Sequence, residues 1–378
     1  MLIAVVKETL EGEARVAMVP ELVGKLTEAG YDVAVEPEAG SAAQYSDTAY
    51  VESGATVDAV LSSADVVLSV QPLSSPQARR LRSGAATFSF LPPAQSLDLV
   101  AERRDLQITS FAMELVPRIS RAQSMDALSS QALVAGYRCA IVAAGRLRRF
   151  FPLNMTAAGT VPPAEVVVLG AGVAGLQAIA TTKRLGAVVR AYDVRAAAAE
   201  EIRSLGAVAI ELDLESLEGS GGYAREMTED RADRQRELLQ PYIAAADALI
   251  TTAAVPGRRA PMLVTRAMVE QMKSGSVVVD LAAESGGNVE GSEPGETVRI
   301  GQAQVWGGGN VPSQMPGPAS RLLSTNIVNL LTLMTATAED EPARFEPDFD
   351  DEVVAGSCMV HDGDVRHEPT QKLLEEES

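Results

Sequence analysis

Residues Val166 to Asp193 read VVVLGAGVAGLQAIATTKRLGAVVRAYD. Three consecutive valines, Val166 to Val168, and Leu169 suit a buried strand. They run into Gly170-Ala171-Gly172-Val173-Ala174-Gly175, a G-x-G-x-x-G. Apolar positions then recur with helical spacing at Leu176, Ile179, Ala180 and Leu185, until Gly186 stops the helix. A second strand, Ala187 to Tyr192, ends on Asp193. The glycine pattern alone is weak; strand, glycine turn, helix, strand and an acid about 20 residues on form a dinucleotide-binding fingerprint. Gly170 permits the tight turn, Gly172 lets a pyrophosphate approach the positive end of the helix, and Gly175 lets helix and strand pack closely. Asp193 is expected to accept hydrogen bonds from the adenine-ribose hydroxyls and to repel a 2′-phosphate, which favours NAD(H) over NADP(H). Arg195, two residues on, is the one charge placed to offset that preference. The competing reading is a glycine-rich βα turn in a protein without a dinucleotide.

The whole chain bounds what surrounds this unit. At 378 residues it is long enough for two domains. A formal net charge of −19 argues against nucleic acid and against direct docking on an anionic bilayer. Cys139 and Cys358 supply neither a disulfide framework nor metal spacing, so no metal site is expected and a reducing compartment is. Met1 to Val6 reads as a first strand rather than a signal peptide, and the Ile327–Ala338 stretch is too short to span a membrane. Conventional proton carriers are scarce. The two histidines, His361 and His367, lie near the C-terminus, and the lysines are Lys7, Lys25, Lys183, Lys273 and Lys372.

Taken in order, residues 2 to 110 alternate short strands (Ile3–Val6, Asp32–Glu36, Asp65–Val70, Thr87–Leu91, Gln107–Ser110) with helical patterns, clearest at Pro20–Ala29 and Leu97–Arg103. This implies a second α/β unit with a parallel sheet and crossovers. Arg118 to Asp126 is a polar loop between apolar segments, a place for function; a plain N-cap by Ser124 or Asp126 for the helix 127–149 is the bland alternative. Thr156 to Ala164 reads as a turn-rich lead-in. After Asp193 come helix 196–205, strand 208–212, a glycine-rich acidic insertion over 213–226 containing Tyr223, a helix near 224–246, strand 249–252, helix 264–272 and strand 276–281. Val305-Trp306 reads as a last strand before Gly307-Gly308-Gly309, and 320–336 as a long amphipathic helix returning to the first domain. A hairpin of 353–360 with 364–367 around Asp362-Gly363 and an acidic, frayed tail complete the chain. The fold class expected is α/β, with two Rossmann-like, doubly wound parallel-sheet domains and an interdomain cleft. The boundaries fall at 1–130 plus 315–378 for the discontinuous first domain and 131–314 for the second.

Three blocks together resemble one family: Lys7-Glu8 with Glu13-Ala14-Arg15-Val16-Ala17-Met18-Val19-Pro20; Pro117 to Asp126 (PRISRAQSMD) with the fingerprint; and Thr251-Thr252, Pro256-Gly257 and Gly275 to Asn288. The chain is similar, over almost its whole length, to alanine dehydrogenase and to the NAD(H)-binding component of proton-translocating nicotinamide nucleotide transhydrogenase. The RISRAQSMD block and the Gly221-Gly222-Tyr223-Ala224-Arg225-Glu226-Met227 loop resemble the transhydrogenase branch. The resemblance implies that Arg118, Gln123 and Asp126, with Ser129 beside them, hold the nicotinamide, and that Tyr223 belongs to a mobile lid. It likewise implies that Gly170, Gly172, Val173, Ala174, Gly175, Asp193, Val194, Arg195, Thr252, Ala253, Glu284 and Asn288 contact the rest of the nucleotide. Where the family has arginine after Asn310-Val311-Pro312-Ser313, this chain has Gln314.

Chemistry separates the branches. Alanine dehydrogenase forms and hydrolyses an imine, so it needs an acid/base and a cation for the substrate carboxylate. The family's lysine-bearing strand here reads Val67-Leu68-Ser69-Val70-Gln71-Pro72, and its histidine-bearing segment Phe90-Leu91-Pro92-Pro93; neither keeps the residue. Hydride passing directly between two nicotinamides needs no proton carrier. The expectation is therefore a transhydrogenase NAD(H) subunit. NADP(H) is bound as second substrate on a partner domain, and proton translocation is carried by membrane-embedded subunits. The chain itself is expected as a homodimer, cytoplasmic and peripheral to the inner face of the cell membrane. A self-contained dehydrogenase and a non-catalytic NAD(H)-binding module are the alternatives.

Overall fold

The computed structural model describes residues 1–214, 228–255, 257–336 and 344–377. The chain is α/β and divides into two units, Met1–Gln131 with Ser313–Ser378, and Ala132–Pro312.

In the first unit an eight-stranded sheet is built around six parallel strands. Leu2–Val5 pairs on one side with Asp32–Val35, which carries Thr56–Val57, and on the other with Val66–Leu68, followed by Ala86–Ser89 and Thr109–Ala112. Strand order is thus third, second, first, fourth, fifth, sixth, the doubly wound pattern whose direction reverses beside the first strand. Val66–Leu68 and Ala86–Ser89 are buried throughout, which is why the first reads as a continuous apolar run; in the second Thr87 and Ser89 alternate with Ala86 and Phe88 although all four are buried. Cys358–His361 adds antiparallel to Thr109–Ala112, and Asp364–Val365 pairs with it around Asp362-Gly363. Only the second half of the stretch 353–360 is strand. Glu352–Ser357 is helical, because the Asp351 carboxylate accepts from the backbone N–H of Val353 and Val354 and caps it. The acidic tail is not frayed: Glu368–Glu377 is helical. Pro316–Leu333 is the long amphipathic helix, four residues earlier at its start than the periodicity suggests because Pro316 opens it. Its buried Leu323, Ile327, Leu330 and Leu331 pack in the core with Val23, Leu26 and Phe88.

The second unit has a seven-stranded sheet. Glu165–Leu169 lies centrally, between Val188–Tyr192 and Ala248–Thr251; Val208–Ala209 lies outside the former, and Val277–Asp280 and Ala303–Gly307 outside the latter. Thr297–Ile300 is an antiparallel edge strand that the sequence reading missed, since Arg299 and Thr297 interrupt its apolar character. The segment read as a turn-rich lead-in is a hairpin, Asn154–Thr156 with Gly159–Val161. The Gly307-Gly308-Gly309 run has a packing reason. A side chain at Gly307 would collide with the Glu293 carbonyl, and one at Gly309 would lie 2.9 Å from Gly295.

Ala127–Arg146 is long and apolar enough to cross a membrane by length and composition, the one such helix among the described residues; half of it is buried in the protein. Gly136 on this helix lies against the Ala174 carbonyl, so close that any side chain there would strike it.

Candidate functional site: a glycine turn in one unit and a polar segment in the other

In the second unit the direction of strand winding reverses between Glu165–Leu169 and Ala248–Thr251. Ligands of such sheets sit beyond the carboxyl ends of those two strands. The glycine turn follows the first and Thr252-Ala253 the second. Gly170 has φ +99°, which L side chains avoid, and its Cα faces the Thr252 hydroxyl and the Ala253 N–H. Thr252 donates its hydroxyl to the Gly170 carbonyl at 3.2 Å, joining the two strand ends. A side chain on Gly175 would collide with that same carbonyl. Gly172 differs: a Cβ there meets nothing within 4 Å. It caps the helix Val173–Arg184, whose first N–H groups lack intrahelical acceptors. Two glycines are thus required by the protein's own packing. The third leaves open space at a helix N-terminus, which fits a pyrophosphate. Val173 is exposed there, whereas Ala174 is buried and packs inward.

Asp193 ends the second strand as expected, but its carboxylate is already engaged. One oxygen accepts from the Arg195 backbone N–H and Nε, both at 2.9 Å. The other accepts from the Ala171 N–H at 2.7 Å and from Arg195 Nη2 at 3.1 Å. Arg195 Nη2 also reaches the Ala171 carbonyl at 3.1 Å, so aspartate and arginine hold both polar groups of one residue inside the glycine turn. Val194, between them, packs in the apolar cluster with Leu169 and Leu249.

Asn288 is placed differently from what the resemblance implied. Its side-chain oxygen accepts from the Ala253 N–H, and its amide nitrogen donates to the Ala253 and Pro261 carbonyls. Both donors are therefore in use, and Asn288 positions Ala253 rather than offering donors to a nucleotide. The anchor beneath it is Asp280, fully buried, which accepts from Thr251 Oγ1, Ser292 Oγ and the N–H groups of Ala282, Asn288 and Val289. Sequence reasoning missed Asp280, although an acid closing the apolar run Val277-Val278-Val279 is the signal. Glu284 is exposed. Tyr223 and most of the 213–226 insertion lie outside the described residues.

In the first unit, Arg118 to Asp126 is not an open loop: Ser120–Met125 is a 3₁₀ helix leading into Ala127–Arg146. Asp126 caps that longer helix. One carboxylate oxygen accepts from the Ser129 N–H at 2.8 Å and the other from the Ser129 hydroxyl at 2.6 Å, with Arg118 Nε at 4.0 Å. Each oxygen retains acceptor capacity. Gln123 is exposed, and among the described residues its side-chain amide makes no hydrogen bond. The segment is held from below by residues that sequence reading did not single out. Asn326 and Asn329, on the Pro316–Leu333 helix, both donate to the Ser124 carbonyl, at 2.9 and 3.0 Å. Asn326 also accepts from Ser130 Oγ, which accepts from the Gln131 amide, and the Gln131 oxygen accepts from Arg15. Two asparagines three residues apart on one face of an otherwise apolar helix were the available signal.

The first unit's own winding-reversal point lies between Leu2–Val5 and Val66–Leu68, and it is filled by Glu8. Its carboxylate accepts from the Val70 and Gln71 N–H groups at 2.6 and 3.2 Å, taking donors a ligand anion would use. Glu114 does the same one strand along, at the Leu91 N–H. Beside Glu8, Glu13 binds Arg15 through both oxygens and accepts from the Gln71 amide at 2.7 Å. Arg15, 5 % exposed, is thus matched by an internal carboxylate, and a glutamine completes the cluster.

Burial, only partly offset by those N–H groups, raises Glu8 and Glu114 to about 7. Burial pushes Glu13 up, but the hydrogen bonds and charge of Arg15, with the Gln71 amide, outweigh it and lower the carboxyl to about 2. A carboxyl raised on folding stabilises below its unfolded value and loses that contribution as pH rises through its folded value. Glu8→Gln/Glu114→Gln is therefore expected to gain stability relative to the parent as pH goes from 5 to 8, by on the order of 2 kcal/mol for each of the two groups. Thermal melts of the two proteins across that range check it; a constant gap shows that neither group titrates there.

Comparison with known proteins places this geometry. Family models match residues 4–135 (alanine dehydrogenase/PNT, N-terminal domain) and 139–368 (alanine dehydrogenase/PNT, C-terminal domain). The chain is 45 % identical to an NAD(P) transhydrogenase alpha-subunit polypeptide of Rhodospirillum rubrum, over 97 % of this chain and 98 % of that one. Alanine dehydrogenase of Mycolicibacterium smegmatis is 31 % identical over 99 % and 97 %. The crystal structure of a transhydrogenase from Sinorhizobium meliloti superimposes with a TM-score of 0.84 at 42 % identity, covering 97 % of this chain and 98 % of that one. With both matched models together spanning nearly all of it, the chain belongs to the alanine dehydrogenase/PNT family.

Proposed function

We propose that the chain is the NAD(H)-binding component of an NAD(P) transhydrogenase. It presents NADH for direct hydride transfer to an NADP⁺ held by a partner. The observation that carries this is the filled reversal point of the first unit: Glu8 takes its strand-end N–H groups, while the equivalent place in the second unit has an open glycine turn at a helix N-terminus. One nucleotide per chain follows, and the other must come on a second polypeptide. The Arg15 cluster supports the same reading. A guanidinium neutralised by Glu13, on which Gln71 from the strand without a lysine also converges, has neither the free charge nor the proton carrier that a small amino or oxo acid needs.

In this reading the second unit holds the adenosine and pyrophosphate through Gly172, Val173, Ala174 and Asp193. The Gln123 amide and the remaining acceptor capacity of Asp126 orient the nicotinamide carboxamide. The nicotinamide supplies the hydride; the chain's own work is orientation and exclusion of water. The partners are an NADP(H)-binding domain and membrane-embedded subunits that translocate protons, so the chain acts at the inner face of the cell membrane without entering it. A homodimer is supported by the hairpin of the second unit, where Met155 is 73 % exposed and Val161 is also exposed, together with exposed Phe150 and Leu153 just before it.

Calorimetric titration tests the nucleotide assignment. One NADH per chain is expected, with NADPH at least about tenfold weaker because a carboxylate disfavours the 2′-phosphate. Two equivalents would show that the first unit takes a nucleotide despite Glu8, and no binding would remove the proposal.

A further inference from the structure

We infer that Arg195 is a specificity-determining residue that competes with the nucleotide for Asp193. This rests on the NAD(H) assignment above. A carboxylate has about four acceptor positions. In Asp193 all four are filled, by the Arg195 N–H, Nε and Nη2 and by the Ala171 N–H. Three of the four come from one residue. The two side chains are only 10 % and 19 % exposed, so the forked pair is poorly screened. The adenine-ribose hydroxyls therefore find no vacant acceptor until the guanidinium withdraws. The Ala171 N–H bond survives that withdrawal, because it belongs to the turn backbone, and it keeps the carboxylate aimed at the ribose side.

Two consequences follow from this geometry. Affinity for NADH is reduced by the fraction of molecules in which the pair is closed, since only the open form offers its acceptors. Discrimination against NADPH is also blunted, because the carboxylate that repels a 2′-phosphate is neutralised while the pair is closed. A displaced Arg195 is then a cation close to that phosphate. The same residue thus weakens binding of the preferred nucleotide and softens rejection of the other. Arg195 Nη2 also bonds the Ala171 carbonyl, so its withdrawal releases that carbonyl while the Ala171 N–H stays on Asp193.

The test measures NADH and NADPH affinities for the full-length parent, Arg195→Gln, Arg195→Lys, Asp193→Asn and the double variant Asp193→Asn/Arg195→Gln. Arg195→Gln is expected to bind NADH roughly five- to tenfold more tightly, the size of one net intramolecular hydrogen bond lost from the competing closed form. It is expected to widen the NADPH-to-NADH ratio of dissociation constants by about tenfold. Arg195→Lys, which keeps charge but loses the fork, falls between Gln and parent. In the Asp193→Asn background, Arg195→Gln gives no gain. Unchanged or weaker NADH binding in both Arg195 variants, with the parent binding normally, overturns this inference alone. A parent that binds no NADH overturns the nucleotide assignment and this inference with it.

Discussion

Purified chain supplied with NADH and NADP⁺ is expected to transfer no hydride by itself. The rate should rise at least about 1000-fold when the partner's NADP(H)-binding polypeptide is added, since positioning two reactants accounts for effects of that size and more. The expectation has a structural basis in each unit. The second unit has one glycine turn with open space at Gly172. The first has the same strand order, but Glu8 and Glu114 hold the N–H groups of Val70, Gln71 and Leu91. In the proposed reading a second dinucleotide would find those N–H groups already taken. Nor is a small substrate catered for, because Arg15 is matched by Glu13 within the protein. A stopped-flow assay with NADH and NADP⁺, with and without the partner, decides the matter when run beside assays of alanine oxidation and pyruvate amination. Rapid transfer without the partner, or alanine turnover at enzymatic rates, favours a self-contained dehydrogenase.

Gln123→Asn is expected to slow transfer in the reconstituted system by about 100-fold, because small displacements of a reacting ring cost that much. NADH affinity should change far less, since the contacts proposed for the adenosine and pyrophosphate do not involve Gln123. The substitution separates function from stability cleanly. Gln123 is exposed and makes no side-chain hydrogen bond among the described residues, so melting should be unaffected, within about 0.5 kcal/mol. Asp126→Asn is the companion. Asparagine retains the cap to Ser129, whose N–H and hydroxyl the carboxylate holds at 2.8 and 2.6 Å, but it loses the negative charge facing Arg118. Transfer at the parent rate in both variants would leave the segment as a helix cap held by Asn326 and Asn329.

The nucleotide unit was legible because its signals are local. Gly170, Gly172 and Gly175 stand at fixed offsets between an apolar run and a helical periodicity; packing requires the first and third, and the second leaves open space at the helix N-terminus. The alternation of strands and helices likewise announced two α/β units, and the absence of a lysine from 67–72 and of a histidine from 90–93 separated amino-acid chemistry from bare hydride transfer. The two-residue strand Thr56–Val57 and the hairpin Asn154–Thr156 with Gly159–Val161 were not legible, nor was the edge strand Thr297–Ile300, because their pairing rather than their composition makes them strands.

What Asp193, Asn288 and Glu8 do was decided only by tertiary structure. Sequence establishes that an acid follows the second strand at ribose-binding distance, but not that Arg195 fills its acceptors. It presents an asparagine in a glycine-rich stretch, but not that Ala253 and Pro261 take its amide. Glu8 is an unremarked acid after the first strand until Val70 and Gln71, 62 and 63 residues on, are brought to its carboxylate. Residue type sets what a side chain can donate or accept. Which of those capacities remain for a ligand depends on partners that only the folded chain brings within 3 Å, and so the sequence by itself determined the fold and the chemistry excluded, while the packing decided which polar groups stay available.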